Sequence, residues 1–344
     1  MSPPSSPTHH NIVILQGQYY KPLEFDLPPP FTHTTTVYPE TPLSELHSRI
    51  HDATIIVTSV TPLDAVALSP QVTPYLQFIA VVAVGTDSID LDACRKRGIV
   101  VSNTPNANVE AVSEHAIALY FAARRRVLEM HSLTRAGEWA NRGTLMFDML
   151  DRDRQPPLTC EDEVVGIIGY GAIGKRIAKL AQSLGMKVLI SGRKGVTDPN
   201  ASHPTQSDQV QRTPFDEVLK KSTVLFIAVP RTNSTLNMIS TPELQSMSHQ
   251  AVLVNVSRGG IVDEAALVTA LKERWIMGAA TDVFAKEPAS PQNSLLLAED
   301  TKDLNLTVSP HLAWLAERTQ ENQRRITKEN VEGFCAGRPC NVVT

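Results

Sequence analysis

Three residues able to hold an anion and move a proton follow one another late in the chain, each just beyond a short apolar run. Arg258 follows the run 251–255, Glu287 follows 278–282, and His311 follows 306–308. An arginine fork can hold a carboxylate through two parallel hydrogen bonds. A histidine touching a carboxylate is a tuned acid. The carboxylate favours the charged imidazolium and orients it, so the ring can protonate a ketone oxygen as hydride arrives. The neutral ring removes the hydroxyl proton in the reverse direction. Taken singly, each residue has an ordinary structural reading: a packed histidine, a surface ion pair, a Glu-Pro loop. Their order after successive strands favours the joint chemical reading, because ligands of open α/β sheets bind beyond the carboxyl ends of the strands. Asp282, at the end of the middle run, is a candidate to support the pair and to contact a cofactor.

Hydride chemistry needs a donor, and the segment 164–178 is built to bind one. The apolar run Val164-Val165-Gly166-Ile167-Ile168 leads into Gly169-Tyr170-Gly171-Ala172-Ile173-Gly174, and a helix-like pattern follows. Gly169 can take the tight turn, Gly171 lets the backbone approach a pyrophosphate, and Gly174 lets the helix pack close to the strand. The helix presents free N–H groups and its positive dipole end to the phosphates. Three glycines alone are a weak signal. In register between strand and helix they predict a dinucleotide site of Gly169, Gly171, Ala172, Ile173 and Gly174.

A second strand, 188–191, should end at the group that reads the adenosine ribose. For NAD that group is a carboxylate about 20 residues past the glycines. Here the strand ends Ser191-Gly192-Arg193-Lys194, with no carboxylate to repel a 2′-phosphate and two cations to accept one. NADPH is therefore the expected cofactor, through Ser191, Arg193 and Lys194, with NAD as a possible second.

Around these sites, short apolar runs alternate with helical patterns. Strands are expected at 12–15, 55–58, 78–82 and 99–102, with helices at 43–51, 63–68 and 91–97, which predicts a first α/β unit with a parallel sheet. The Pro28-Pro29-Pro30 run and the segment to Pro39 are less regular. A long helix is expected from Asn108 to Val127, with Arg124-Arg125-Arg126 as its solvated, dipole-complementing end. The segment 137–163 reads as a polar surface excursion. The nucleotide unit continues with strands at 224–229, 251–255, 278–282 and 306–308, helices at 241–247 and 264–273, and a closing amphipathic helix at 319–334.

At 344 residues the chain can hold two domains. A net charge of −4 offers no electrostatic case for nucleic acid or an acidic membrane. Four scattered cysteines argue for free thiols rather than a disulfide framework, and no metal site is expected. The first eleven residues read as a loose polar tail without the regions of a secretory signal. No apolar stretch approaches the ~20 residues that span a bilayer, so the cytosol is the expected compartment.

The chain resembles the D-isomer-specific 2-hydroxyacid dehydrogenase family from about Ile55 to Val343. The resemblance rests on the glycine fingerprint, on Val84-Gly85-Thr86-Asp87-Ser88-Ile89-Asp90 and on Asn108-Val109-Glu110-Ala111-Val112-Ser113-Glu114-His115. It rests also on the Arg258 segment, on Asp282 through Pro288 and on Ser309-Pro310-His311. It implies an α/β fold of two Rossmann-like, doubly wound domains with a cleft between them: 1–107 with 312–344 for substrate, and 108–311 for the dinucleotide. It implies that Arg258, Glu287 and His311 form a catalytic triad, and that backbone N–H groups at Val84 and Gly85 hold the substrate carboxylate together with Arg258. A homodimer is implied, with the long helix near Asn108 at its interface. Gly192, where the family usually carries an aspartate, agrees with the NADPH-linked glyoxylate and hydroxypyruvate reductases. Trp314 resembles the hydroxypyruvate branch, with core packing as its equal alternative. The expected activity is reduction of a small 2-keto acid to the D-2-hydroxy acid, which weakens as pH rises and His311 loses its proton. Two alternatives stand beside it: a reductase of a larger 2-keto acid, and a cofactor-sensing binding protein like the family's transcriptional corepressors.

Overall fold

The computed structural model describes residues 8–196 and 210–344. They form two α/β units, each built on a parallel sheet. One unit holds the described residues up to Asn108 together with Leu315–Thr344, and the other is Val109–Trp314.

The first unit contains strands β1 (His9–Ile14), β2 (Thr32–Val37), β3 (Ile55–Thr58), β4 (Phe78–Val81) and β5 (Val100–Ser102), with helices α1 (Leu43–Ile50) and α2 (Leu91–Arg97). The sheet order is β2-β1-β3-β4-β5. Strand residues alternate between two cores, as period-two side chains must when both faces are covered. Ile56, Ile79 and Val81 pack with Leu46 and Ile50 on one face. Ile55, Val57 and Phe78 pack on the other with Val331 of the closing helix, Glu317–Cys335. Phe334 of that helix stacks on Phe78 with ring centroids 4.5 Å apart.

Two local expectations fail here. Strand β2 reads Thr-His-Thr-Thr-Thr-Val on the sheet edge and is largely exposed, so it carries no apolar alternation to announce it. Residues 63–68 are not helical. Leu63 instead makes a β-bridge with Ile89. The Asp64 carboxylate accepts from the N–H groups of Val66 and Ala67, a local bond that competes with helix formation.

The second unit opens with helices α3 (Val109–Arg124), α4 (Val127–Arg135) and α5 (Glu138–Arg142). Its strands are β6 (Val164–Ile168), β7 (Lys187–Ile190), β8 (Val224–Ile227), β9 (Val252–Asn255), β10 (Gly278–Thr281) and β11 (Leu306–Val308). Between them lie α6 (Ala172–Ser183), α7 (Phe215–Lys221), α8 (Thr241–Ser246) and α9 (Glu264–Lys272), and the closing helix of the first unit is α10. The order β11-β10-β9-β8-β6-β7 puts the first strand, β6, beside both β7 and β8. This reversal of winding at β6 is where an open α/β sheet leaves a crevice for a ligand. Val224 and Phe226 face α3 and α6, while Leu225 and Ile227 face α7, α8 and α9. Each fully buried aliphatic side chain of this kind contributes about 1.5–3 kcal/mol.

The arginine run differs from its expected role. α3 stops at Arg124, and Arg126 turns the chain with a left-handed φ of 45° before α4 begins. Arg124 is not solvated at all. It is 1% exposed, and its guanidinium lies 2.6 Å from Glu163, itself fully buried. The expected polar excursion is partly helical, and the stretch from α4 through it exposes the large apolar side chains Val127, Leu128, Trp139, Met146 and Phe147. Among the described residues no helix is long and apolar enough to cross a membrane, and no group of three or more His, Cys, Asp or Glu is placed to hold a metal. All four cysteines are free thiols.

Candidate active site

The glycine turn sits at the carboxyl end of β6. Gly169 has φ +97°, and a Cβ there would lie 2.4 Å from the Ala228 carbonyl oxygen. A Cβ on Gly174 would lie 2.0 Å from the Gly169 carbonyl oxygen, so α6 packs directly on the turn. These two glycines are explained by the protein's own packing. Gly171 is different, since a Cβ there would meet nothing within 4 Å. It is also the N-cap of α6 in extended conformation, and among the described residues no side chain caps the helix. Open space above a helix N-terminus that no described side chain caps fits a pyrophosphate. Ala172 and Ile173 supply the first turn of that helix.

At the end of β7 the side chains of the turn make contacts within the protein. Ser191 is 3% exposed, and its hydroxyl turns back to donate to the Gly192 carbonyl. The Lys194 ammonium lies 2.8 Å from the Glu243 carboxylate and donates to the Met238 carbonyl. Arg193 is exposed on the turn. A residue that sequence reasoning missed, Arg212, donates from Nη1 to the Ser191 carbonyl at 3.1 Å. No local pattern links positions 191 and 212. The bridge between Ser191 and Thr213 does so.

The three reactive candidates converge within this unit. Buried Asn255, the last residue of β9, folds the turn that carries Arg258. Its side-chain amide donates to the Arg258 carbonyl at 3.0 Å, and its Oδ1 accepts from the Ser257 N–H and hydroxyl. Gly259 lets this turn approach the loop after β10, because a Cβ there would lie 1.7 Å from the Phe284 carbonyl oxygen. That loop is held from the other side by Glu264, whose carboxylate accepts from the Ala285 N–H and the Ser294 hydroxyl, each at 2.7 Å. Within it, Glu287 accepts from the Phe284 N–H at 2.9 Å and meets His311 Nδ1 at 2.6 Å through its other oxygen.

Burial pushes the Glu287 carboxyl up. The hydrogen bonds from His311 and the Phe284 N–H, with the charges of His311 and Arg258, outweigh it and hold the group below the ordinary glutamate range. The carboxylate is thus ionised at neutral pH. With Nδ1 bonded to Glu287, Nε2 of His311 is the nitrogen left to exchange a proton with a ligand.

His311 itself is fixed through its backbone. It has a left-handed φ of 55°, a conformation that costs free energy in a non-glycine residue and persists only when its surroundings impose it. Its N–H donates to the Asp282 carbonyl at 2.7 Å, and its carbonyl accepts from the Trp314 indole. Asp282 is 1% exposed. Its carboxylate accepts from the Ser309 hydroxyl and from the N–H groups of Leu312 and Ala313. It therefore grips both flanks of His311. His115 of α3 lies 3.0 Å from the Ser309 hydroxyl and 3.7 Å from Asp282. Trp314 packs against the α3/α6 core and steadies His311, in keeping with its core-packing reading. In the other unit, Val84 and Gly85 lie in the loop after β4, where the Val84 carbonyl accepts from Asn103.

Comparison with known proteins shows the family of the chain. Residues 117–313 match the pattern of the "D-isomer specific 2-hydroxyacid dehydrogenase, NAD binding domain". The chain is 37% identical over 325 residues to the glycerate dehydrogenase of Methylorubrum extorquens, covering 93% of this chain and 94% of that protein. It is 33% identical to the glyoxylate reductase of Thermococcus litoralis, covering 88% of this chain and 87% of that one. Among solved structures, the NADPH-dependent glyoxylate/hydroxypyruvate reductase of Sinorhizobium meliloti, in complex with NADP and malonate, superposes with a TM-score of 0.75 at 26% identity, covering 99% of this chain and 97% of that chain. With its glycine turn at the β6 switch point and a histidine braced by a glutamate beyond the strand ends, the chain belongs to the D-isomer-specific 2-hydroxyacid dehydrogenase family.

Proposed function

We propose that the protein is an NADPH-preferring reductase of small 2-keto acids, glyoxylate and hydroxypyruvate foremost, giving the D-2-hydroxy acid. The observation that carries the reading is the 2.6 Å contact between His311 Nδ1 and Glu287, on a loop pressed against the Arg258 turn at Gly259. When bound, the nicotinamide supplies hydride to the keto carbon. Gly169, Gly171, Ala172, Ile173 and Gly174 would hold its pyrophosphate, Ser191, Arg193 and Lys194 its adenosine ribose, and Asp282 would serve the same cofactor. Arg258 holds the substrate carboxylate and polarises the carbonyl through its fixed positive charge. His311, as the imidazolium, gives the proton from Nε2 to the carbonyl oxygen. Glu287 keeps the ring oriented through its contact with Nδ1. We assign the unit of Val109–Trp314 to the dinucleotide, and the other unit to the substrate, with Val84 and Gly85 offering backbone N–H groups to its carboxylate.

Support comes from the activities for which the relatives above are named and from the absence of a carboxylate in Ser191–Lys194. The configuration of the product tests the reading. Glycerate formed from hydroxypyruvate is expected to be the D enantiomer by chiral chromatography. A racemic or L product would be incompatible with this placement of acid and arginine.

A further inference from the structure

The loop that carries Glu287 is clipped at both ends by a single carboxylate. Glu264 is the first residue of α9, and the N–H groups at the start of that helix are capped by its neighbour. Asp263 accepts there from Ala265 and Ala266. The two Glu264 oxygens reach instead to the loop after β10. Oε1 accepts from the Ala285 N–H and Oε2 from the Ser294 hydroxyl, each at 2.7 Å. Ser294 is 5% exposed and caps the short helical turn Leu295–Leu297. Inside the clip the Asn293 side chain closes the segment on itself. It accepts from the Ser290 N–H at 2.7 Å and donates to the Pro288 carbonyl at 3.0 Å. Glu287 thus sits on a short span whose two ends are tied to one helix.

The clip reaches the reacting groups through one peptide unit, the one joining Phe284 to Ala285. Its N–H is bound by Glu264. Its carbonyl is the one that a Cβ on Gly259 would meet at 1.7 Å, so the unit is clamped between α9 and the Arg258 turn. On the other side of Phe284, its own N–H donates to Glu287 Oε1 at 2.9 Å and leaves Oε2 for His311 Nδ1 at 2.6 Å. A tilt of this unit would therefore move the carboxylate that orients the histidine ring. Misplacing a reacting group by about 1 Å can cost about 10²-fold in rate. We infer that Glu264 is a positioning residue for the proton transfer, acting through Glu287 to keep His311 in its reactive orientation. The inference rests on the reductase reading above.

The test is a double-variant cycle on kcat with NADPH and hydroxypyruvate, in the wild type, E264A, E287Q and E264A/E287Q, with E264Q alongside. Thermal melts and NADPH titration of each variant separate folding and cofactor binding from turnover. In E264A kcat should fall about tenfold to a hundredfold, while KM for hydroxypyruvate and the Kd for NADPH stay near wild type. E264Q should recover most of that loss, because its amide still accepts from Ala285 and can donate to Ser294. The double variant should be no slower than the slower single variant, since Glu264 acts through Glu287. If E264A does not fold, S294A opens one end of the clip and takes its place in the cycle, with the same non-additive loss expected. Losses that multiply in the double variant would show that Glu264 only braces the fold and would overturn the inference. An unchanged kcat in the single variant would overturn it too, and an active wild type leaves the reductase reading standing in both cases. A wild type without turnover on any small 2-keto acid would overturn that reading and this inference with it.

Discussion

Replacing His311 by alanine is expected to lower kcat for keto-acid reduction by about 10²–10⁴-fold, the usual contribution of a positioned general acid. Cofactor affinity should be little changed, because the groups placed around the pyrophosphate and the adenosine ribose lie on the β6 and β7 turns. Steady-state rates and fluorescence titration with NADPH measure the two quantities separately. Near wild-type turnover would remove the acid assignment. Glu287→Gln should be less severe, since the amide oxygen can still accept from Nδ1 and orient the ring. The pH dependence follows from the lowered Glu287 carboxyl. A carboxyl whose folded pKa is depressed favours the folded state above its unfolded pKa, and that contribution fades as pH falls through the folded value. The Glu287–His311 contact should thus survive to below the ordinary glutamate range and fail only in more acidic solution.

The second large effect is expected far from the chemistry. Arg124 ties α3 to the opposite ends of the strands. It lies 2.6 Å from Glu163 and donates to the Gln250 and Thr223 carbonyls, while Tyr120 donates to the same glutamate. Arg124 is 1% exposed and Glu163 fully buried. Removing one partner leaves an uncompensated charge in the interior, at a cost of about 3–5 kcal/mol. Arg124→Met and Glu163→Leu should each lower the denaturation midpoint strongly, whereas the double variant should be less destabilised than the sum of the two, because neither charge is then left alone. Urea unfolding of the three variants measures this coupling. Single-variant losses under about 1 kcal/mol would mean that water reaches the pair.

The fold was legible because its signals are local. Buried parallel strands read as short apolar runs, and the β6 turn needs glycine at 169 and 174 for reasons of packing within a few residues. The positions of Arg258, Glu287 and His311 could be read because each follows a strand, and parallel strands put their carboxyl ends on one edge. The contacts that give those residues their geometry were not legible. His115 reaches Ser309 across 194 positions, and Arg212 reaches Ser191 across 21. Neither distance has a periodic signature. Arg124 misled for a related reason: three arginines at a helix end look solvated, and only the fold reveals that the first points into the core beside Glu163. The threonines of β2 lacked any apolar alternation because an edge strand need not bury one face.

The central claim is NADPH-dependent reduction of a small 2-keto acid. It is tested most directly by initial rates with NADPH and with NADH against glyoxylate, hydroxypyruvate, pyruvate and phenylpyruvate. The account predicts the highest kcat/KM with NADPH and either glyoxylate or hydroxypyruvate. A higher kcat/KM with NADH would contradict the reading of the Ser191–Lys194 turn, and preference for phenylpyruvate would contradict the small-substrate pocket. Tight NADPH binding with negligible turnover on all four acids would contradict the enzymatic account itself.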